Sequence, residues 1–226
     1  MSTTDRERAS ALMRDAAWLR GHDPALGRDL LDHGVIIRRA AGEWIYGEGD
    51  PGTGLVMVLE GLVRLHCATA GGLTVLIGQA GPGAMLGQAV RFGGGPRLHT
   101  LICAEPSVLM KVSDTAIFEI GERRPEVWRF VAGLLYAQIR GALALATQAI
   151  ALPARRRVAA RLHLMAPAGG EIPLSQADLA EMLGLARKTV NLHLGAFERA
   201  GLVRRAYGWV EVLQPAALEA IADAED

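Results

Sequence analysis

The stretch LSQADLAEMLGLARKTVNLHLGAFERAGLVRR, residues 174–205, has the pattern of two short helices joined by a tight turn. Ser175 suits the N-cap of the first helix, and Gly184 permits the turn before the second. Apolar residues at spacings of four and three give the second helix one buried face, formed by Val190, Leu194 and Phe197. A hairpin pattern follows at residues 201–215. This order of elements predicts a helix-turn-helix followed by a wing.

The outward positions of the second helix carry the side chains that can read DNA. The major groove admits an α-helix, and residues near the helix N-terminus reach the base edges. Arg187 is the candidate for a guanine contact, because its planar guanidinium matches the O6 and N7 acceptors. Polar side chains at the start of each helix are placed to position phosphates. The candidate DNA-binding residues are therefore Arg187, Lys188, Asn191, Thr189, Ser175 and Gln176.

Charge is distributed unevenly along the chain. The 226 residues carry 24 Lys and Arg against 24 Asp and Glu, so the molecule as a whole has no electrostatic attraction for nucleic acid or membrane. Between residues 155 and 205, however, nine Lys or Arg residues stand against four acidic ones, a local charge of +5. This local excess favours DNA as the partner of the C-terminal part.

Residues 35–112 follow a different pattern. Short runs rich in Val, Ile, Leu and Thr alternate with turn sequences such as GEGDPGTG at 47–54 and FGGGPR at 92–97. Strands at this even spacing predict a small all-β barrel or roll. Residues 5–33 are expected to form one or two short helices. The glycine cluster at 85–100 has the outline of a phosphate cradle, since backbone amides approach an anion closely where side chains are absent.

A long helix is expected from residue 125 to about residue 151, with apolar and small residues at steps of three and four. At 1.5 Å per residue it would be roughly 40 Å long, more than one small domain can cover, which indicates a dimerisation helix. Packing on its own β-roll is the alternative. Pro153 ends this helix and makes residues 150–153 the candidate hinge. The predicted domains are a sensor with N-terminal helices at 1–124, a dimerisation helix and hinge at 125–152, and a DNA-binding domain at 153–226.

Cysteine usage and the N-terminus bear on cofactors and compartment. Cys67 and Cys103 lie 36 residues apart without a CxxC motif, so we expect reduced buried thiols and no iron–sulfur cluster or zinc ribbon within one chain. The first fifteen residues carry charges of both signs, unlike a signal peptide, and no charge-free apolar run of ~18 residues occurs. A soluble cytoplasmic protein without a membrane partner is therefore expected.

Together, the stretches GEWIYGEGDPGTGLVMVLEGLVRL (42–65), GPGAMLGQ (81–88) and residues 174–205 resemble the CRP/FNR family of bacterial transcription regulators over nearly the whole chain. The resemblance implies an α+β fold with three parts: an N-terminal β-roll, a long dimerisation helix and a C-terminal winged helix-turn-helix. The β-roll is a double-stranded β-helix like that of cyclic nucleotide-binding domains. It also implies a homodimer on a near-palindromic DNA site, with RNA polymerase as a further candidate partner.

The resemblance places a ligand pocket at Gly87, Gln88, Arg97, Leu98, Ala142 and Leu143. Relatives that bind cyclic AMP have Gly-Glu, Arg-Ser and Thr-Ser at these places, so that a carboxylate holds the ribose while Arg and Ser hold the phosphate. Here only Arg97 keeps that chemistry, because Gln88 is a neutral and weaker partner and Leu98 donates no hydrogen bond. Unpaired ligand groups at ~1 to 3 kcal/mol each would erase a micromolar affinity. Cyclic AMP is therefore not expected to bind tightly.

The residues that read DNA also depart from the family pattern. Lys188 stands where relatives carry a Glu that accepts from cytosine, and Leu192 stands where they carry a second Arg. Since Lys cannot accept a hydrogen bond, the half-site usual for the family is not expected here.

Other functions fit the residues less well. Oxygen sensors of this family need four cysteines, and two are present. His66, Cys67 and His99 are more typical of surface or core residues than of haem ligands. A cupin-like metalloenzyme would need clustered His and carboxylate ligands, and no HxH pattern occurs, so no catalytic or metal-binding residue is assigned. A different effector such as a cyclic dinucleotide, the absence of an effector, and a nucleotide-sensing module for a partner protein all stay open.

Overall fold

The computed structural model describes residues 2–51, 54–87, 95–166 and 168–224. The chain forms two compact units, Met1–Ile139 and Arg140–Asp226. The boundary between the two units, at residues 139 and 140, falls inside one long helix. The sequence instead predicts three parts, in which the long helix and hinge at 125–152 form a part of their own. That three-part division stays a prediction.

Two helices precede the strands, α1 (Thr3–Asp15) and α2 (Pro24–Asp32). Each begins at a polar N-cap, Ser2 and Asp23, whose side-chain oxygen accepts a hydrogen bond from a first-turn amide. The buried residues of both helices join one core with a β-sheet and later helices of the same unit. The helical segment expected before the strands is thus resolved into two helices.

The strands of the first unit are β1 (Val35–Arg39), β2 (Trp44–Tyr46), β3 (Leu55–Glu60), β4 (Val63–Ala68), β5 (Thr74–Ala80), β6 (Met85–Leu86), β7 (Thr100–Cys103) and β8 (Ser107–Val112). They form two four-stranded antiparallel sheets with the orders β1-β8-β3-β6 and β2-β7-β4-β5. The chain moves repeatedly from one sheet to the other. This is the topology of the predicted β-roll.

Strand β3 shows how the unit is packed. Five of its six residues are buried, because one face points between the two sheets and the other faces the helices. Val56 and Val58 belong to the core between the sheets, and Leu55 and Met57 belong to the core shared with the helices. A strand that is covered on both faces has a continuous apolar sequence instead of alternating apolar and polar residues.

Two helices follow the last strand, α3 (Asp114–Arg123) and α4 (Glu126–Ala151). Ser113 caps α3 by accepting a hydrogen bond from a first-turn amide. Helix α4 has 26 residues, and its buried residues lie in its first three turns. By length and composition alone α4 would also suit a membrane span, a property that helices of soluble proteins can share.

The second unit contains α5 (Ala154–Met165), β9 (Gly170–Ile172), α6 (Gln176–Leu183), α7 (Arg187–Arg199), β10 (Val203–Ala206), β11 (Trp209–Val212) and α8 (Pro215–Asp223). Its strands form one antiparallel sheet in the order β10-β11-β9. Helices α5, α6 and α7 bury one common core with this sheet. A helix-turn-helix followed by a two-stranded wing is therefore present, with a third strand beside it.

Three elements were not expected from the sequence. Strand β6 lies in a segment predicted as a turn, and β9 lies in a segment predicted as a loop. Each is short and depends on pairing with a distant strand: Met85 pairs with Met57, and Ile172 pairs with Val210. Helix α8 begins at Pro215, a residue suited to a first helical turn.

Candidate nucleic-acid interface and effector site

The first helix of the helix-turn-helix is fixed by a capping box. The Ser175 hydroxyl accepts from the Asp178 amide at 3.1 Å, and the Asp178 carboxylate accepts from the Ser175 amide at 3.3 Å. Helix α6 ends at Gly184, whose φ of +60° is the left-handed conformation that glycine adopts at little cost. Gln176 is the first residue of α6 and is half-buried. The predicted phosphate contact of Ser175 therefore competes with its role as a cap.

The second helix, α7, presents its N-terminal turn to solvent. Arg187 and Lys188 are exposed, and no hydrogen bond or ion pair holds either side chain within the part of the chain that the structure describes. Thr189 is half-buried. The N-cap, Ala186, contributes no side-chain hydrogen bond, and the Thr189 amide donates to the Ala186 carbonyl at 2.9 Å. Within the described part of the chain, the amides of Arg187 and Lys188 are left for an anion such as a DNA phosphate.

The buried face of α7 is the predicted one. Val190, Leu194 and Phe197 are at most 1% exposed, and they pack in the core of the second unit. This packing fixes the rotation of the helix about its axis. Arg187 and Asn191 therefore point away from the core, as the sequence predicts.

Asn191 is not an isolated surface residue. Its Oδ1 accepts a hydrogen bond from Nη1 of Arg205, on strand β10, at 3.1 Å. The rest of the Arg205 fork is held by Glu198 on α7, with Nε at 2.9 Å and Nη2 at 2.5 Å from Oε2. These bonds lower the pKa of the Glu198 carboxyl, the Arg205 side chain being the largest cause. The wing and α7 are thus joined through side chains.

The positive patch is smaller than the sequence count of nine cations against four acids indicates. Arg204 pairs with Glu211 inside the wing, Arg205 pairs with Glu198, and Arg161 is only 4% exposed. Two more arginines donate to backbone carbonyls of the second unit: Arg156 to Ala222, and Arg157 to Ala149 and Leu183. Among the described residues of this segment, the exposed cations outside an ion pair are Arg155, Arg187, Lys188 and Arg199. Electrostatic attraction to DNA is concentrated around α7.

In the first unit, Gly87 and Arg97 come together, as the predicted phosphate cradle requires. The guanidinium nevertheless points at the protein itself: Nη1 donates to the Gly87 carbonyl at 2.6 Å, and Nη2 donates to the Gly54 carbonyl at 3.1 Å. Gly87 has φ +91°, and a Cβ there would lie 2.6 Å from Arg97 Nη1. A glycine is required at 87 because the arginine packs directly on the backbone.

Arg97 is 2% exposed, so it is a buried cation. Its guanidinium carbon lies 4.2 Å from the centre of the Tyr46 ring, a distance suited to a cation–π contact. The Tyr46 hydroxyl is hydrogen-bonded to Nε2 of His99 at 2.7 Å. Burial raises the pKa of Tyr46 and lowers the pKa of His99, which keeps both groups neutral at pH 7. Among the described residues, Arg97 thus contacts an aromatic ring and two backbone carbonyls of the same unit.

The other predicted ligand residues are less informative. Leu98 is 65% exposed. Ala142 and Leu143 are exposed on α4 and belong to the second compact unit. Gln88 lies outside the described residues. Of the six predicted positions, Gly87 and Arg97 are the pair that the structure brings into contact.

Sequence reasoning missed several residues of these sites. Gly54 and Tyr46 bind Arg97 from positions 43 and 51 residues away, and no local pattern indicates such a contact. Arg205 was counted only as a charge. One signal for its ion pair was available in the sequence, because Glu198 and Arg205 carry opposite charges seven residues apart. Glu198 lies near the end of α7 and Arg205 lies on the first wing strand. No cluster of three or more potential metal ligands occurs among the residues described.

The comparisons with known proteins agree with this architecture. Residues 36–124 match the family described as "Cyclic nucleotide-binding domain", and residues 156–221 match the "Crp-like helix-turn-helix domain". The chain is 32% identical over 183 residues to the Cyclic AMP receptor protein of Thermus thermophilus, covering 80% of this chain and 85% of that protein. It is 28% identical over 225 residues to the Nitrogen fixation regulation protein FixK of Bradyrhizobium diazoefficiens, covering 94% and 92%.

A solved structure shows the same fold. FixK2 from Bradyrhizobium japonicum superposes with a TM-score of 0.74 at 20% identity, covering 85% of this chain and 99% of that one. The predicted fold class, a β-roll and long helix followed by a winged helix-turn-helix, is confirmed. Both domain types match, and one relative is 32% identical over four-fifths of this chain, so the chain belongs to the CRP/FNR family of transcription regulators.

Proposed function

We propose that this DNA-binding regulator acts as a homodimer on a near-palindromic site and does not require cyclic AMP. The observation that carries the proposal is the presentation of α7. Its apolar face is buried, and its N-terminal turn offers Arg187, Lys188 and open backbone amides to solvent. This is the geometry in which a helix enters the major groove.

Dimerisation through α4 is supported by an exposed apolar stripe. Spacings of three and four residues put five side chains on one seam of the helix: Tyr136, Ile139, Leu143, Ala146 and Ile150. Such a repeat is typical of the a and d positions of a coiled coil. A second copy of the helix would cover this stripe, which is costly to leave in water. We therefore assign α4 to the dimer interface and not to a membrane. The proposed regulator is a cytoplasmic protein without catalytic activity.

Base reading is assigned to the exposed residues of α7. Arg187 would pair with O6 and N7 of guanine. Leu192 is 64% exposed, one residue after Asn191 on α7, and its side chain fits an apolar contact with a thymine methyl group. Lys188 and the first-turn amides would bind phosphates. At a promoter, contact with RNA polymerase would give activation, and exclusion of the polymerase would give repression.

Independence from cyclic AMP is supported by the position of Arg97. Its guanidinium donates to two carbonyls of the β-roll and is almost fully buried. To hold a cyclic phosphate the side chain would have to leave these acceptors, at a cost of roughly 1 to 3 kcal/mol for each carbonyl left unpaired. A β-roll whose own carbonyls accept from both Nη atoms of this arginine fits a regulator active without that nucleotide.

Selection from random-sequence DNA tests the proposal. The full-length protein should enrich a palindrome whose half-sites contain G·C pairs and whose centres lie ~34 Å apart, one helical turn. Failure to enrich any sequence at moderate salt would refute DNA reading. Stabilisation by cyclic AMP approaching ~2.7 kcal/mol at 100 times its Kd would refute the effector assignment.

A further inference from the structure

The wing reaches the DNA-reading face of α7 through one side chain, that of Arg205. Its guanidinium has Glu198 on one side and Asn191 on the other, so a single fork spans two turns of the helix. The backbone amide of Arg205 also donates to Glu198 Oε1 at 2.9 Å. With both backbone and side chain attached to the same carboxylate, the arginine has one well-defined position.

Gly195 leaves room for this arrangement. It is a buried glycine in the middle of α7, and a Cβ there would lie 3.8 Å from both Nη atoms of Arg205 and 3.6 Å from Nη1 of Arg199. Alanine would fit, but a longer side chain would occupy the space of the guanidinium. The result is an open depression on the reading face, lined by Lys188, Thr189, Asn191, Leu192, Gly195, Arg199 and Arg205.

The contact decides which atoms Asn191 offers to DNA. An arginine has donors only, so the amide group must turn its oxygen toward Arg205 and its NH2 group away. An asparagine that rotates without restraint pairs with adenine, since its oxygen accepts from N6 while its nitrogen donates to N7. The oxygen keeps a second lone pair, but its bond to Arg205 fixes the orientation of the amide group. The NH2 group on the other side then matches a base edge that accepts. Guanine, with O6 and N7, and thymine, with O4, are such bases.

We propose that Arg205 is a positioning residue for specificity: it makes Asn191 a hydrogen-bond donor and so directs it to guanine or thymine instead of adenine. The inference rests on the proposed function, because it needs α7 to lie in the major groove. Arg205 itself is not required to touch a base.

The test measures base preference at each half-site position with the full-length protein and a series of single-base DNA variants. Asn191→Ala identifies the position that Asn191 reads, as the one where preference disappears. There the wild type should favour guanine or thymine, and Arg205→Leu should shift the preference toward adenine by about fivefold or more.

Arg204→Leu is the matched control. Arg204 precedes Arg205 on the same strand, carries the same charge, and pairs with Glu211 within the wing. Its loss should leave the base preference at every position unchanged. Glu198→Gln provides a second variant, because it weakens the anchor of Arg205 by removing the charge of the acceptor while keeping side-chain size. It should change base preference in the same direction as Arg205→Leu, and thermal midpoints should show that both variants are folded.

The outcomes separate this inference from the proposed function. If the wild type enriches no sequence, DNA reading itself fails. If the wild type selects a site but Asn191→Ala changes the preference at no position, Asn191 does not read a base and the inference fails. The inference also fails if Arg205→Leu and Glu198→Gln show the same base preference as Arg204→Leu.

Discussion

Replacing Arg97 with Ala should destabilise the first unit rather than alter a ligand response. The side chain is 2% exposed and donates to the carbonyls of Gly87 and Gly54 at 2.6 and 3.1 Å. Hydrogen bonds from a charged donor contribute about 1.5 to 3 kcal/mol each, and the truncated site also loses the packing on Tyr46. Part of this is offset, because the buried cation no longer has to be desolvated. The expected loss is therefore about 3 to 5 kcal/mol.

Chemical denaturation followed by tryptophan fluorescence measures that loss. Thermal midpoints should fall by roughly 6 to 20 °C, at ~2 to 4 °C per kcal/mol for a protein of this size. Leu98→Ala is the control, since the neighbouring side chain is 65% exposed and should change stability by less than ~0.5 kcal/mol. An Arg97→Ala protein as stable as the wild type would refute the structural role and favour a role for Arg97 in ligand binding.

Three further predictions concern the second unit and the dimer. Arg187→Ala should remove sequence preference in competition binding, whereas Arg155→Ala should weaken all sequences evenly; identical behaviour of the two would contradict the assignment of Arg187. Leu143→Glu should convert a dimer into a monomer in light scattering, while Gln148→Glu, off the apolar stripe, should not; a dimer that survives the first change counts against the α4 interface. The pKa of Glu198 is lowered by its arginine partner, so its contribution to stability should be complete above the ordinary pKa of ~4.3 and disappear as pH falls through the lowered value. The stability difference between wild type and Glu198→Gln should therefore vanish as the pH falls below that lowered value, and a difference that is constant with pH would exclude this cause.

Much of the fold could be predicted because it is encoded locally. The periodic apolar residues of α7 predicted its buried face, and Val190, Leu194 and Phe197 are all buried. Ser175 was identified as an N-cap from residue type and position, and it caps α6. Such features depend on neighbours three or four residues away.

The missed features depend on distant partners. Strand β9 is three residues long and exists because β11 pairs with it, which no propensity of its own residues indicates. The direction of the Arg97 side chain is set by carbonyls ten and 43 residues away. Likewise, the bond between Asn191 and Arg205 joins α7 to strand β10, and the two residues are 14 positions apart in the chain. Residue types identified the candidate sites, but tertiary contacts decide what each side chain is used for.

The small number of exposed cations has a consequence for the search along DNA. If Arg187 reads a base, Arg155, Lys188 and Arg199 are left for phosphates in each protomer, and a dimer has six such residues. Binding would then fall with salt with a logarithmic slope of about −5, a loss of roughly a thousandfold between 50 and 200 mM. Non-specific complexes would be short-lived at physiological ionic strength. The regulator would leave wrong sites quickly and depend on base contacts, more than on charge, for its residence at the right one.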